Sequence, residues 1–227
     1  MIEKSQFATL PSTARGGLLI CGMNWGGAPK ESDRGFETES KPWAPLFLHP
    51  ENYSRGFQSP LLTWFGLWGY TLLYETPTDL DQAIAQSNVF VDQTPRFLQK
   101  PKTEQWIHGF TRLAEAVKEM DFSGVLLVSK TVADWAIWLS ERNHIPKWNQ
   151  VVGNLQWDAP RYGRLSLRFG CNDTRHVASV SQPSCGVPHA DVQASAKEMH
   201  TWIANVLLEH KMKDVPDWLP ETSPITF

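Results

Sequence analysis

Asn24 stands in a glycine-rich turn, Gly22-Met23-Asn24-Trp25-Gly26-Gly27, that ends an apolar run beginning at Gly17. A carboxamide accepts through its carbonyl and donates through its amino group, so it can orient a water or a polar ligand without being a strong base. A short apolar run bounded by glycines reads as a buried strand of a parallel sheet, and ligands of such sheets sit beyond the carboxyl ends of the strands. Asn24 is thereby placed at the rim of a site. A second constellation is the thiol of Cys185 with His189 or His176, the ingredients of a cysteine hydrolase, but neither an orienting third group nor a nucleophile elbow accompanies them. The turn lacks G-x-G-x-x-G spacing, the chain has no P-loop Gly-Lys-Ser/Thr, and Cys21, Cys171 and Cys185 form no C-x-x-C pair. No metal and no cofactor are expected, and the thiols are read as free, in a reducing compartment.

The elements that must position these groups follow from periodicity. Short apolar runs predict strands at 17–22, 88–92, 124–129, 165–169 and 176–180. Helical spacing predicts a largely buried helix over 59–74, an amphipathic one over 103–120 with Trp106, Phe110, Leu113 and Val117 on one face, and others over 131–142 and 190–210. Strands alternating with helices imply right-handed crossovers, hence an α/β fold: a three-layer α/β/α sandwich with a central, mainly parallel sheet of four or five strands. Segments 28–59, 94–102 and 146–162 lack either pattern. The first is too long for an idle connection and reads as a lid or binding loop.

The chain has 227 residues, 41% apolar and 20% charged, which fits one soluble domain over 1–227. A net charge of -3 and a pI near 6.2 exclude a protein that coats nucleic acid by bulk electrostatics. A local basic rim remains open to Lys30, Arg34, Arg55, Arg96, Lys100 and Lys102, which fall in or beside the segments without helix or strand pattern. Eleven tryptophans supply flat surfaces for core packing or for stacking a flat ligand. Residues 1–11 lack the apolar core of a signal peptide, and no run approaches the roughly 18 apolar residues of a membrane span. A cytoplasmic location is the expectation.

Three motifs carry a family resemblance. Gly22-Met23-Asn24-Trp25-Gly26 resembles the Gly-Met-Asn-Pro-Gly motif of the uracil-DNA glycosylase superfamily. Ser181-Gln182-Pro183-Ser184, directly after the strand at 176–180, resembles that superfamily's His-Pro-Ser or Asn-Pro-Ser loop and precedes a long last helix as it does there. Residues 87–96, Ser-Asn-Val-Phe-Val-Asp-Gln-Thr-Pro-Arg, are similar to the strand that carries the base-recognition side chain. Two positions depart from the pattern: Trp25 replaces a proline or small polar residue, and Gln182 replaces the histidine many members carry.

The resemblance implies a single uracil-DNA-glycosylase-like domain whose partner is DNA. It implies a hydrolase that flips a base out of the helix and cleaves its N-glycosidic bond without metal or cofactor. The transition state resembles an oxocarbenium sugar with negative charge growing on the departing base. By resemblance Asn24 holds the attacking water and Gln182 donates to the base carbonyl that gathers charge. Asn88 or Asp92 reads the base edge, the amide suiting uracil or thymine and the carboxylate suiting the exocyclic amine of a cytosine derivative. Phe36, with Trp25 and Trp43 behind it, stacks on the base. Gly26 and Gly27 let the backbone approach the nucleotide, while Ser184, Cys185 and His189 meet the DNA and Val187 fills the gap left by the extruded base. The expected substrates are a uracil-like base or a modified cytosine, including the hydroxymethyl- and glucosyl-cytosine of phage DNA, so both DNA repair and antiviral defence are open roles. The alternatives are a catalytically altered nucleic-acid-binding member of the same fold and the cysteine hydrolase built on Cys185.

Overall fold

A computed structural model of the chain describes residues 7–9, 14–23, 58–72, 83–90, 101–153, 156–171 and 175–212. Its strands are β1 (Phe7–Thr9), β2 (Leu18–Gly22), β3 (Ile84–Asn88), β4 (Gly124–Val128), β5 (Gln156–Asp158), β6 (Arg161–Tyr162), β7 (Leu165–Cys171) and β8 (His176–Val180). The helices are α1 (Gln58–Leu67), α2 (Thr103–Met120), α3 (Lys130–Glu141), α4 (Pro146–Val152), α5 (His189–Ala194) and α6 (Ala196–Met212). Among the described residues no helix is long and apolar enough to cross a membrane.

The fold is α/β, and its sheet is mixed. The strands run in the order β1-β3-β2-β4-β8-β7-β5, with β6 paired to β7. Strands β3, β2, β4 and β8 are mutually parallel, whereas β1 joins one side antiparallel and β7 and β5 the other. The expected mainly parallel sheet of four or five strands is thus a four-stranded parallel centre within a wider sheet. The antiparallel side arises because β7 returns to β8 across only a short connection, and a parallel partner would need a crossover of a dozen residues or more.

Residues of the parallel centre alternate between two cores, as a period of two demands. Leu18, Ile20, Leu126, Val128, Ala178 and Val180 join one cluster with α1, α5 and α6. Leu19, Cys21, Val125, Leu127 and Val177 join the other with α2, α3 and α4. Trp64, Trp68, Trp106 and Trp148 are each almost fully buried in these cores. Most of the described tryptophans therefore pack, although Trp138 stays exposed with Arg142 over its ring.

Three expectations from periodicity shift. The strand expected at 88–92 is β3, four residues earlier: its polar Gln86-Ser87-Asn88 stretch is buried because β2 pairs with it from Leu18↔Ile84 to Gly22↔Asn88. The segment 146–162 is ordered by α4, whose Pro146 sits in the first turn where a missing N–H costs nothing, and by β5 and β6. The helix expected over 190–210 is two helices separated at Ser195. There Ser195 Oγ donates to the Val192 carbonyl at 2.7 Å and accepts from Trp68 Nε1 at 3.2 Å, tying the break to the end of α1. Ser195→Ala strands that buried indole N–H and is expected to lower unfolding free energy by about 1–3 kcal/mol. Urea titration checks it: the midpoint should fall with the slope unchanged.

Candidate functional site

The register of the parallel strands places the motifs at one end of the sheet. Gly22 is level with Asn88, Cys21 with Leu127, and Val128 with Val180, so β2, β3, β4 and β8 all finish on nearly the same line. Beyond that line come Met23 after β2, Val89 after β3, Ser129 and α3 after β4, and Ser181-Gln182 after β8. The chain passes from β2 to β3 on one side and then to β4 on the other, so the order reverses at β2. Such a switch point opens a crevice at the carboxyl ends of the strands.

The ladder between β2 and β3 continues past the strands themselves. Val89 N–H donates to the Gly22 carbonyl and Phe90 N–H to that of Met23, each at 3.0 Å. Backbone pairing thus holds the chain up to the residue before Asn24. Asn24, Trp25, Gly26, Gly27, Phe36 and Asp92 lie outside the described residues.

Asn88 is the last residue of β3 and is buried, 4% exposed. Gly22 makes room for it, because a Cβ on that glycine would stand 2.5 Å from Asn88 Oδ1. Its place corrects the strand boundary, since Asn88 ends its strand at the site where the pattern had it begin one.

Gln182 follows β8 by two residues and is half-buried, extended at φ -65° and ψ 129°, with its carbonyl accepting from Cys185 N–H. The base of the loop is fixed from the side: Ser181 Oγ accepts from Ser166 N–H of β7 at 2.8 Å. Ser184 and Cys185 are exposed, and Gly186 turns the chain with φ +65°, a left-handed conformation that glycine takes without strain. Val187 is not a projecting wedge. The turn at Gly186 sends its side chain inward, where it is 9% exposed and part of the core cluster that contains α1.

The histidines divide. His189 opens the short helix α5 and is exposed. His176 lies at the amino end of β8, the whole length of the strand from Gln182, and its Nε2 is 2.6 Å from Glu209 Oε1. At that distance it cannot serve Cys185 as a base. A hydrolase on Cys185 therefore retains only His189 of its two expected partners.

Arg112 is a residue of this strand end that the sequence motifs do not single out. From α2 it reaches the carboxyl end of β3, where its Nη2 donates to the carbonyls of Asn88 and Val89 at 2.9 and 2.8 Å. It is 9% exposed. A signal exists in the helix pattern: Arg112 stands three residues after Gly109 and four before Ala116, on the strip of small residues where α2 comes nearest the sheet. Close by, burial pushes the Cys21 thiol up to about 12, against a smaller opposing pull from the Arg112 charge. Cys21 is therefore a neutral core residue at neutral pH, with no nucleophilic role.

Among the described residues no three His, Cys, Asp or Glu side chains converge as metal ligands do. No protein-family model and no curated protein matches the chain.

Proposed function

We propose that the chain is a monofunctional DNA glycosylase with a three-layer α/β/α build, hydrolysing the N-glycosidic bond of a base flipped into the crevice beyond β2, β3 and β8. The reading rests on one observation above the others. The register of the parallel centre brings the residue before Asn24, the carboxamide of Asn88 and the half-buried Gln182 to the same end of the sheet. These are the three places where the sequence resembles the motifs of the uracil-DNA glycosylase superfamily.

The chemistry assigned to them is modest in each case and sufficient together. Asn24 orients a water toward the anomeric carbon through its side-chain carbonyl. Gln182 donates to the departing base as negative charge develops there, a neutral donor doing what an imidazolium would do more strongly. Asn88 reads the base edge. Its carboxamide presents one acceptor and one donor, and turning by half a revolution exchanges them, so the same residue fits a uracil-type or a cytosine-type edge. Base identity is then settled by what else lines the crevice. DNA is the partner, and the location follows the cytoplasmic expectation.

Oligonucleotides bearing single uracil, hypoxanthine, mismatched thymine, hydroxymethylcytosine or glucosylated cytosine provide the test. After incubation and alkali, strand scission at the modified position of at least one of them is expected. Scission of none, with DNA binding retained, would transfer the site to the catalytically altered binding protein.

A further inference from the structure

Asn88 is held from two directions, and only one of them involves its side chain. The residue is 4% exposed, and its carboxamide oxygen faces Gly22 of the neighbouring strand. The space it occupies exists because Gly22 has no Cβ, the nearest approach there being 2.5 Å to Asn88 Oδ1.

The backbone of Asn88 is held by α2. Arg112 Nη2 bridges the carbonyls of Asn88 and Val89, two consecutive peptides, at 2.9 and 2.8 Å. Helix α2 comes near enough because residue 109 is glycine: a Cβ there would meet the Val89 carbonyl oxygen and Cγ1, each at 2.6 Å. Holding the Asn88 carbonyl fixes the peptide that leaves Asn88, holding the Val89 carbonyl fixes the next one, and the β2 ladder holds the strand before them, so the direction in which the Cα–Cβ bond of Asn88 leaves the strand is set. A buried guanidinium is a costly way to fill space, so its retention at this strand end calls for a task that an apolar side chain could not perform.

We propose that Arg112 is a positioning residue for the base-reading amide of Asn88. Base reading by Asn88 rests on the glycosylase function, whereas the clamp on its backbone does not. Arg112 touches neither base nor sugar in this role. It sets the aim of the residue that does, and a displacement of about an ångström at such a residue costs roughly tenfold to a hundredfold in rate.

The experiment uses the full chain with Arg112→Met, Arg112→Lys and Asn88→Ala, and reads two quantities. The first is the side-chain amide signal pair of Asn88 in nitrogen–proton correlation spectra, identified by its loss in Asn88→Ala. One sharp pair is expected in the wild type, and a broadened or split pair in Arg112→Met. The second is kcat/KM for base excision, expected to fall roughly tenfold to a hundredfold in Arg112→Met and to change little when the same substitution is made on Asn88→Ala. Unaltered Asn88 signals in Arg112→Met, with a lowered melting temperature, would reduce Arg112 to a structural residue and overturn the proposal. An equal loss of kcat/KM with and without Asn88 would overturn it as well. Should Arg112→Met not fold, Arg112→Lys, which retains charge and donors but not the planar fork, carries both readouts. If the wild type excises no base, the glycosylase reading falls and the Asn88 signals alone decide the clamp.

Discussion

Asn24→Ala is expected to reduce single-turnover base excision at least about a hundredfold, the loss typical of removing one preorganised polar contact from a charge-developing transition state. The reasoning is that the glycosidic bond needs little help to break once the base is stabilised. On the proposed function the chain must supply a water in line with the anomeric carbon, and a methyl group in place of the Asn24 carboxamide would leave that water without an anchor. Because the residue orients rather than deprotonates, DNA affinity should change far less than the rate. Rapid-quench measurement with enzyme in excess separates the two. An unchanged rate would remove Asn24 from the mechanism and leave the glycine turn as a feature of the fold alone.

The second large effect concerns stability at alkaline pH. Burial raises the thiol of Cys21 from its ordinary 9.0 to about 12 in the folded chain. Between those values the unfolded chain has lost the thiol proton and the folded chain still holds it. The unfolded state thus binds fewer protons, and unfolding free energy falls as pH rises. The stabilisation from the neutral thiol is complete below pH 9, declines by about 1.4 kcal/mol per pH unit, and is exhausted near pH 12, about 4 kcal/mol in all. Tyr70 and Tyr162 are also shifted upward, both chiefly by burial, and add to the alkaline loss. Comparison with Cys21→Ala isolates the thiol, because the tyrosines act equally in both proteins. The stability difference between wild type and Cys21→Ala should shrink or reverse across this window. Parallel curves from pH 8 to 12 would show that the Cys21 thiol ionises in the folded state as freely as in the unfolded one.

How much of this was legible without coordinates depends on whether local pattern or distant pairing decides each element. Helix α2 and strand β8 lie where periodicity placed them, because α2 has an uninterrupted apolar face and β8 is a short apolar run buried on both faces. Strand β3 does not. Its Ile-Ala-Gln-Ser-Asn sequence has little apolar signal, and pairing with β2 on one side and β1 on the other makes it a strand, whereas Val89 and Phe90, the apolar residues of the pattern, pack beyond its end in the core under α2. The break at Ser195 depends on Trp68, 127 positions away, and no local propensity announces it.

The candidate site divides along the same line. The motifs around Asn24 and Gln182 could be read because glycine turns and Gln-Pro-Ser are short, contiguous words, and the parallel register places the segments carrying them at one sheet end. Val187 was misjudged because an apolar residue in a polar loop reads as exposed until the left-handed turn at Gly186 is known. Arg112 has only a weak signal in the sequence, the small residues Gly109 and Ala116 beside it, because its place is fixed by the approach of a helix to a strand end. A lone arginine in an amphipathic helix ordinarily reads as solvated.

Release of the intact free base is the property that separates a glycosylase from a nuclease, a binding protein or a hydrolase acting elsewhere. Chromatography with mass detection should therefore be applied to wild-type protein and Asn24→Ala after incubation with the uracil, hypoxanthine, thymine-mismatch, hydroxymethylcytosine and glucosylcytosine oligonucleotides, each in single- and double-stranded form. The intact base in solution and an abasic site in the strand are expected for at least one substrate with the wild type, and at least about a hundredfold less of both with Asn24→Ala. No free base from any substrate, or release as a nucleotide instead, would contradict it.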